Sequence, residues 1–293
     1  MTHWLDPLSP TPPGSWCAYG VRVARRVGRH RGSCGEHSLC TDRFCARRSG
    51  GQLTVLHDLS PDELCDELAV LLADELDAPG TLLRGQRDFE LVFTGIVRST
   101  VDGALPSWLR FYRNSIDRLA DGTASFGPVH DHAAAMLVGH QLIDLGSCFG
   151  FFALRAVDLG MDVTATDLSH PTMDLLARVS ALLHRQLRII GCDAAHVPLP
   201  DGSADTVTAL HLLEHLTPAA AGDVLEEAIR LARRRVIVAV PFEDQPRACY
   251  GHVQAFSRES LRRLGSELSE RHLGLIATVD EHRGGWLILD RTI

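Results

Sequence analysis

The string His211-Leu212-Leu213-Glu214-His215 sets two imidazoles around one carboxylate. A third imidazole, His252, stands in Tyr250-Gly251-His252-Val253-Gln254-Ala255-Phe256-Ser257. Imidazole titrates closest to neutral pH, so such a cluster suits removal of a proton from a weak nucleophile such as a hydroxyl. The first string also spells H-x-x-E-H, an inverted zinc-protease signature that needs both histidines on one face of a continuous helix. Here it follows an apolar run and stops at Thr217-Pro218, a helix start, so the protease reading falls away. The plain alternative for Glu214 and His215 is a hydrogen bond at the entry to that helix.

A second set of residues sits at the ends of apolar runs. In Asp144-Leu145-Gly146-Ser147-Cys148-Phe149-Gly150, glycine at 146 and 150 lets the backbone turn tightly and approach a ligand. A dinucleotide fingerprint, G-x-G-x-x-G, would need glycine where Cys148 and Phe151 stand, which disfavours a nicotinamide or flavin dinucleotide. Asp167, 23 residues beyond Asp144, closes the next run, and a carboxylate there accepts both hydroxyls of a ribose. Gly191-Cys192-Asp193-Ala194 closes the third, where an acid and a backbone N–H read an adenine edge. Acids also cap strands for structural reasons, but three at successive strand ends favour a nucleoside site.

Composition removes several rival chemistries. All 29 basic residues are arginine, which excludes a P-loop lysine, a pyridoxal Schiff base and the Tyr-x-x-x-Lys pair of a short-chain oxidoreductase. The net charge is −8, and residues 1–50 carry eight arginines against three acids, so +5 there leaves about −13 on the rest. That balance argues against nucleic acid as a partner. The longest apolar stretches, such as 133–138 and 236–240, fall short of the roughly 20 residues that cross a bilayer. Pro7, Pro10, Pro12 and Pro13 stand where an export signal would need an apolar run. The expectation is a cytoplasmic enzyme with no membrane partner and with reduced thiols. Cys34, Cys40 and Cys45, with His30 and His37, lack the paired spacing of a zinc knuckle and read as loose thiols.

The elements that must position these groups follow from periodicity. Residues 1–52 read as an irregular Arg- and Cys-rich arm. Residues 53–137 read as a helical cap: a helix opened by the capping box Ser60-Pro61-Asp62-Glu63 and running to Leu76, then helices over 83–102 and 107–120. From 138 to 293 the pattern changes to short apolar runs, 142–145, 163–166, 187–190, 206–210 and 236–240, alternating with helices over 150–159, 171–184 and 218–234. Strands apolar throughout and separated by helices make a doubly wound, mostly parallel α/β sheet covered on both faces. A strand at 275–279, a turn at Arg283-Gly284-Gly285 and a strand at 286–289 add an antiparallel hairpin.

At the three strand ends the sequence resembles the class I S-adenosylmethionine-dependent methyltransferases, over residues 138–293. The resemblance implies a seven-stranded Rossmann-like sheet and S-adenosyl-L-methionine as cofactor. It implies that Asp144, Gly146, Ser147, Cys148 and Gly150 lie under the methionine moiety, and that Asp167, followed by Leu168, holds the ribose. Asp193 and Ala194 would address the adenine, and residues 209–215, Leu210 included, would face both cofactor and acceptor. Cys148 stands where the family often has a third glycine. The acceptor expected is a hydroxyl of a small molecule or oligosaccharide, with His211 or His215 as base and His252 orienting it, and His130 and His132 on the approach to the first strand. No metal is demanded by the spacing, although Mg²⁺ near Glu243-Asp244 is compatible with it. Methylation at carbon or nitrogen and a silent nucleoside-binding module are the other readings.

Overall fold

A computed structural model of the chain describes residues 5–26, 38–77 and 82–292. They form two compact units, one of Leu5–Gly127 with Ala248–Gly251, the other of Pro128–Arg247 with His252 onward.

The first unit holds a five-stranded sheet of β1 (Ser15–Ala18), β2 (Val21–Arg25), β3 (Ser38–Cys40), β4 (Phe44–Ser49) and β5 (Gln52–His57), ordered β1-β2-β5-β4-β3. The irregular arm expected over 1–52 is therefore corrected, since most of its described length is strand. Val21, Val23, Phe44, Ala46, Leu53 and Val55 alternate inward and are buried. Arginines fill many of the outward positions, so the short strands carry no apolar run in the sequence. Cys40 and Cys45 face each other across the β3–β4 hairpin and form a disulfide. Reduced thiols, expected throughout, are thus corrected for this pair, whereas Cys17, Cys65 and Cys192 are thiols. His30, Cys34 and His37 lie outside the described residues.

The single helix expected from Ser60 to Leu76 is also corrected. It breaks into a 3-10 turn at Pro61–Glu63, α1 (Leu68–Leu72) and a wider turn at Ala73–Asp77. Then come α2 (Gln86–Thr100) and α3 (Ala104–Ala120). The break has a cause in α3: Asn114 Nδ2 donates to the carbonyls of Pro61 and Leu64, each at 2.8 Å, and Ser115 Oγ accepts the Asp66 N–H at 2.9 Å. Backbone groups that would close the next helical turn are spent on tertiary contacts. Buried Arg98 pins the Pro-rich start by donating to the carbonyls of Pro7 and Ser9 at 2.7 and 2.8 Å. The turn Ala248–Tyr250 belongs to this unit, with the Tyr250 ring edge-on to Phe89 at 5.4 Å.

The second unit opens one residue into α4 (Gly127–Ala135) and continues β6 (Gln141–Leu145), α5 (Phe151–Asp158), β7 (Asp162–Asp167), α6 (His170–Leu182) and β8 (Arg188–Gly191). It closes with β9 (Ala204–Leu210), α7 (Pro218–Leu231), β10 (Ala232–Val240), α8 (Arg258–Arg271), β11 (Leu275–Glu281) and β12 (Gly285–Arg291). The sheet order is β11-β12-β10-β9-β6-β7-β8, and β12 runs antiparallel to both β10 and β11. This is the doubly wound, seven-stranded, mostly parallel sheet expected of a class I methyltransferase. Helix α7 ends at Leu231, short of 234, because Ala232 already pairs with Ala204 in β9. The first strand, β6, is flanked by β7 and β9, so the strand order reverses beside it and leaves a crevice at its carboxyl end.

His57, at the end of β5, is fully buried with Nε2 2.9 Å from Ser99 Oγ. Burial, aided by the Arg25 and Arg26 charges, holds its pKa down at about 3. Because the folded value lies below the unfolded one, the stability it confers is complete above pH 6.5 and lost as pH falls toward 3. Urea unfolding is expected to show about 2 kcal/mol of this loss between pH 6.5 and about pH 5, and a shallower slope for His57→Gln. Equal slopes would contradict the assignment.

Candidate active site

The turn after β6 is built by glycine. Gly146 has φ 66° and Gly150 has φ 72°, in the left-handed region that favours glycine. A Cβ on Gly146 would lie 2.7 Å from Leu212 Cδ1, and one on Gly150 would lie 2.6 Å from Leu176 Cδ2. Between them Cys148 takes φ 50°, the same region without a glycine's freedom. Its N–H donates to Asp167 Oδ2 at 3.0 Å, which fixes it there. Ser147 N–H donates to the Thr166 carbonyl at 2.8 Å, and Ser147 Oγ donates to the Asp144 carbonyl at 2.9 Å. The turn is thereby fastened to the end of β7.

Asp167 is the hub of this end. Its Oδ1 accepts the Ser169 N–H at 2.8 Å, and Ser169 in turn caps α6. Burial pushes its carboxyl above the ordinary range, opposed by the N–H groups of Ser169 and Cys148 and by the charge of His215. With one N–H on each oxygen, the carboxylate keeps lone pairs for two ribose hydroxyls. Leu168, next along, is a large apolar side chain half exposed to solvent, as an adenine face requires. Asp193 lies beyond β8, its Oδ1 accepting the Ala195 N–H at 2.9 Å, and Ala194 follows it. The glycine-lined turn and the strand-end acids fit an adenosyl group.

Asp144 differs from the expectation that it lies under the cofactor. Its side chain is buried, and its Oδ1 accepts the Thr208 hydroxyl at 2.6 Å across to β9. Burial raises its pKa to about 6. It ties the two strands beside the crevice and acts through the turn that it anchors.

The histidines gather beyond β9. Leu210 ends that strand, and His211, at φ 54°, turns the chain into a 3-10 turn at Leu213–His215. The continuous helix of an inverted zinc protease is absent from this segment. Glu214 is 1% exposed and its Oε1 accepts from His211 Nδ1 at 3.1 Å. The segment after Gly251 is stapled to this turn. Val253 N–H donates to the Glu214 carbonyl at 2.8 Å, and Gln254 Nε2 donates to the carbonyls of Leu213 and Leu216 at 3.0 and 2.8 Å. The staple sets the His252 ring edge-on to His215, centroids 4.9 Å apart. His252 Nδ1 donates to Glu243 Oε2 at 2.8 Å. All three expected histidines therefore share one cluster, and His215 acts electrostatically on Asp167.

Of the two on the approach, His130 is buried against Phe152, and burial holds its pKa down at about 4, with Arg155 and His211 acting in the same sense. His132 instead stacks on His282 and abuts Trp286. The sequence assigns Gln254 no role and makes Glu243 only compatible with Mg²⁺, without pairing it with His252. No motif marks either residue: the partners of Gln254 lie 41 and 38 residues back, and Glu243 meets His252 across an irregular segment.

A family model described as a methyltransferase domain matches residues 143–240, from β6 to the end of β10. No curated protein matches the chain. Among solved structures, a protein from Pyrococcus horikoshii is 14% identical at a TM-score of 0.48, over 57% of this chain and 89% of its own. An S-adenosylmethionine-dependent methyltransferase from Aquifex aeolicus is 14% identical at 0.45, over 60% and 97%. Magnesium protoporphyrin IX methyltransferase from Synechocystis, with bound S-adenosylmethionine, is 16% identical at 0.45, over 76% and 97%. The matched segment contains the glycine turn, Asp167, Asp193 and the histidine turn. The chain therefore carries a match to a methyltransferase domain over residues 143–240, for which the sequence leads us to expect S-adenosyl-L-methionine as cofactor.

Calorimetry with S-adenosylhomocysteine is expected to show binding weakened roughly tenfold or more, about 1.4 kcal/mol, in Asp167→Ala and in Asp193→Ala. Unchanged affinity in both would remove the crevice as the cofactor site.

Proposed function

We propose that the chain methylates a hydroxyl of a small molecule or glycan, and that the acceptor is a glucose of the mycofactocin oligosaccharide. The observation that carries O-methylation is the cluster of His211, His215 and His252 around Glu214, next to the crevice that takes the cofactor. The choice of glycan rests on similarity of the chain's layout, including Phe126-Gly127-Pro128-Val129-His130-Asp131-His132, to the mycofactocin oligosaccharide methyltransferase.

When bound, S-adenosylmethionine supplies a methyl group already activated by its positive sulfur. What is left to the protein is to align the nucleophile and exclude water. A sugar hydroxyl is a poor nucleophile at neutral pH, and a base within hydrogen-bond reach assists it. An ionised carboxylate only accepts hydrogen bonds, so the proton of neutral His211 sits on Nδ1, toward Glu214, and Nε2 presents a lone pair. His252 is poised in the same way by Glu243. His211 or His215 takes the hydroxyl proton, and His252 orients the acceptor. Among the described residues no helix is long and apolar enough to cross a membrane, and we set the reaction in the cytoplasm.

Mass spectrometry of metabolites from cells with and without the gene is expected to show a glycan pair differing by one CH₂, with the methyl on oxygen. With that acceptor, His211→Ala, His215→Ala and His252→Ala should lower turnover, the base variant by roughly 10²- to 10⁴-fold. Near wild-type turnover in all three would refute the histidine mechanism. A methyl on carbon or nitrogen would refute the acceptor.

A further inference from the structure

We infer that Glu214, His215 and His252 form a site for one divalent transition-metal ion of the kind that favours imidazole, such as zinc or iron(II). One ligand atom from each of the three lies within 4.8 Å of the other two. A tetrahedral zinc ion holds its ligands roughly 3.3 Å apart, so modest side-chain rotation closes the set.

A second observation points to a ligand. Glu214 is 1% exposed, and while its Oε1 accepts from His211, its Oε2 is buried without a hydrogen-bond partner. A buried carboxylate oxygen left without a partner is costly, and a cation is the partner that this oxygen lacks. The surroundings of His252 agree. Its Nδ1–H is taken by Glu243 Oε2 at 2.8 Å, which turns the Nε2 lone pair to the ligand position and raises its basicity. Two imidazoles and one carboxylate select a borderline transition ion over Mg²⁺ or Ca²⁺, which prefer oxygen ligands throughout. Three protein ligands leave a position open for water or for an acceptor hydroxyl.

Ion binding stands without any particular acceptor; its chemical use deepens the O-methyltransferase reading and rests on it. A hydroxyl on the open position loses its proton more readily. With His215 and His252 occupied as ligands, His211 takes that proton through Nε2. The oxygen then bonds the methyl carbon as the carbon–sulfur bond breaks, its electron pair remaining on sulfur.

The test uses the full chain, stripped with a chelator that is then removed, and titrated with Zn²⁺ by calorimetry and with Co²⁺ by visible absorption. The wild type is expected to bind an ion that His252→Ala and Glu214→Gln each weaken by about 100-fold or more. Glu243→Gln, which leaves the ligands in place, should cost roughly 10- to 100-fold. Binding of S-adenosylhomocysteine to the same samples reports that each variant is folded; should Glu214→Gln fail there, His252→Ala carries the test. A wild type that takes up no ion overturns the proposal, as does ion affinity unchanged in folded His252→Ala. Failure of the wild type to bind S-adenosylhomocysteine would instead strike the methyltransferase reading, and the ion titration would stand apart from it.

Discussion

The site depends on the hydrogen bond between the Cys148 N–H and Asp167 Oδ2. It locks a left-handed turn at the end of β6 to the carboxylate at the end of β7, and with Ser147 on the Thr166 carbonyl it makes the two strand ends one edge. Such a turn is open to Gly146 and Gly150 at little cost, whereas Cys148 adopts it against the preference of a residue with a Cβ. Asp167 gains from the same bond, since an N–H on each of its oxygens steadies a carboxylate that burial disfavours. One contact therefore shapes the turn and tunes the acid at the end of β7.

The histidine cluster is held by a different device. Its histidines come from segments far apart in sequence, and what joins them is Gln254 bonded to the carbonyls on both sides of the turn that carries Glu214 and His215. A side-chain amide that satisfies two loop carbonyls fixes that loop more firmly than packing alone would. The carboxylates of Glu214 and Glu243 then set the tautomers of His211 and His252, leaving a lone pair on each Nε2. Proton transfer and ion binding both need that arrangement.

Much of the second unit was legible in the sequence. A central strand such as β10 is buried on both faces over 236–240 and so appears as an unbroken apolar run, and the acids at 167 and 193 mark the ends of β7 and β8. The first unit was less so. Strands β2 and β4 bury alternate residues and carry arginine between them, a pattern too short to separate from a solvated arm. The helix expected after Ser60 failed because Asn114 and Ser115 take its backbone groups, a tertiary override that no local rule contains. Asp144 occupied the expected position in the chain but points to Thr208, since a residue inside a sheet alternates faces irrespective of its chemistry. The company His252 keeps, with His215 on one side and Glu243 on the other, comes from chain reversals whose geometry the intervening residues do not announce.

The central claim is that an adenosyl group lies over the joined ends of β6, β7 and β8. Amide hydrogen exchange with and without S-adenosylhomocysteine addresses it without any substitution. The account predicts slower exchange at Cys148–Gly150, at Leu168 and Ser169 and at Ala194, with no change in the sheet of the first unit. Protection confined to β11 and β12, or none at the three strand ends under saturating ligand, would contradict it.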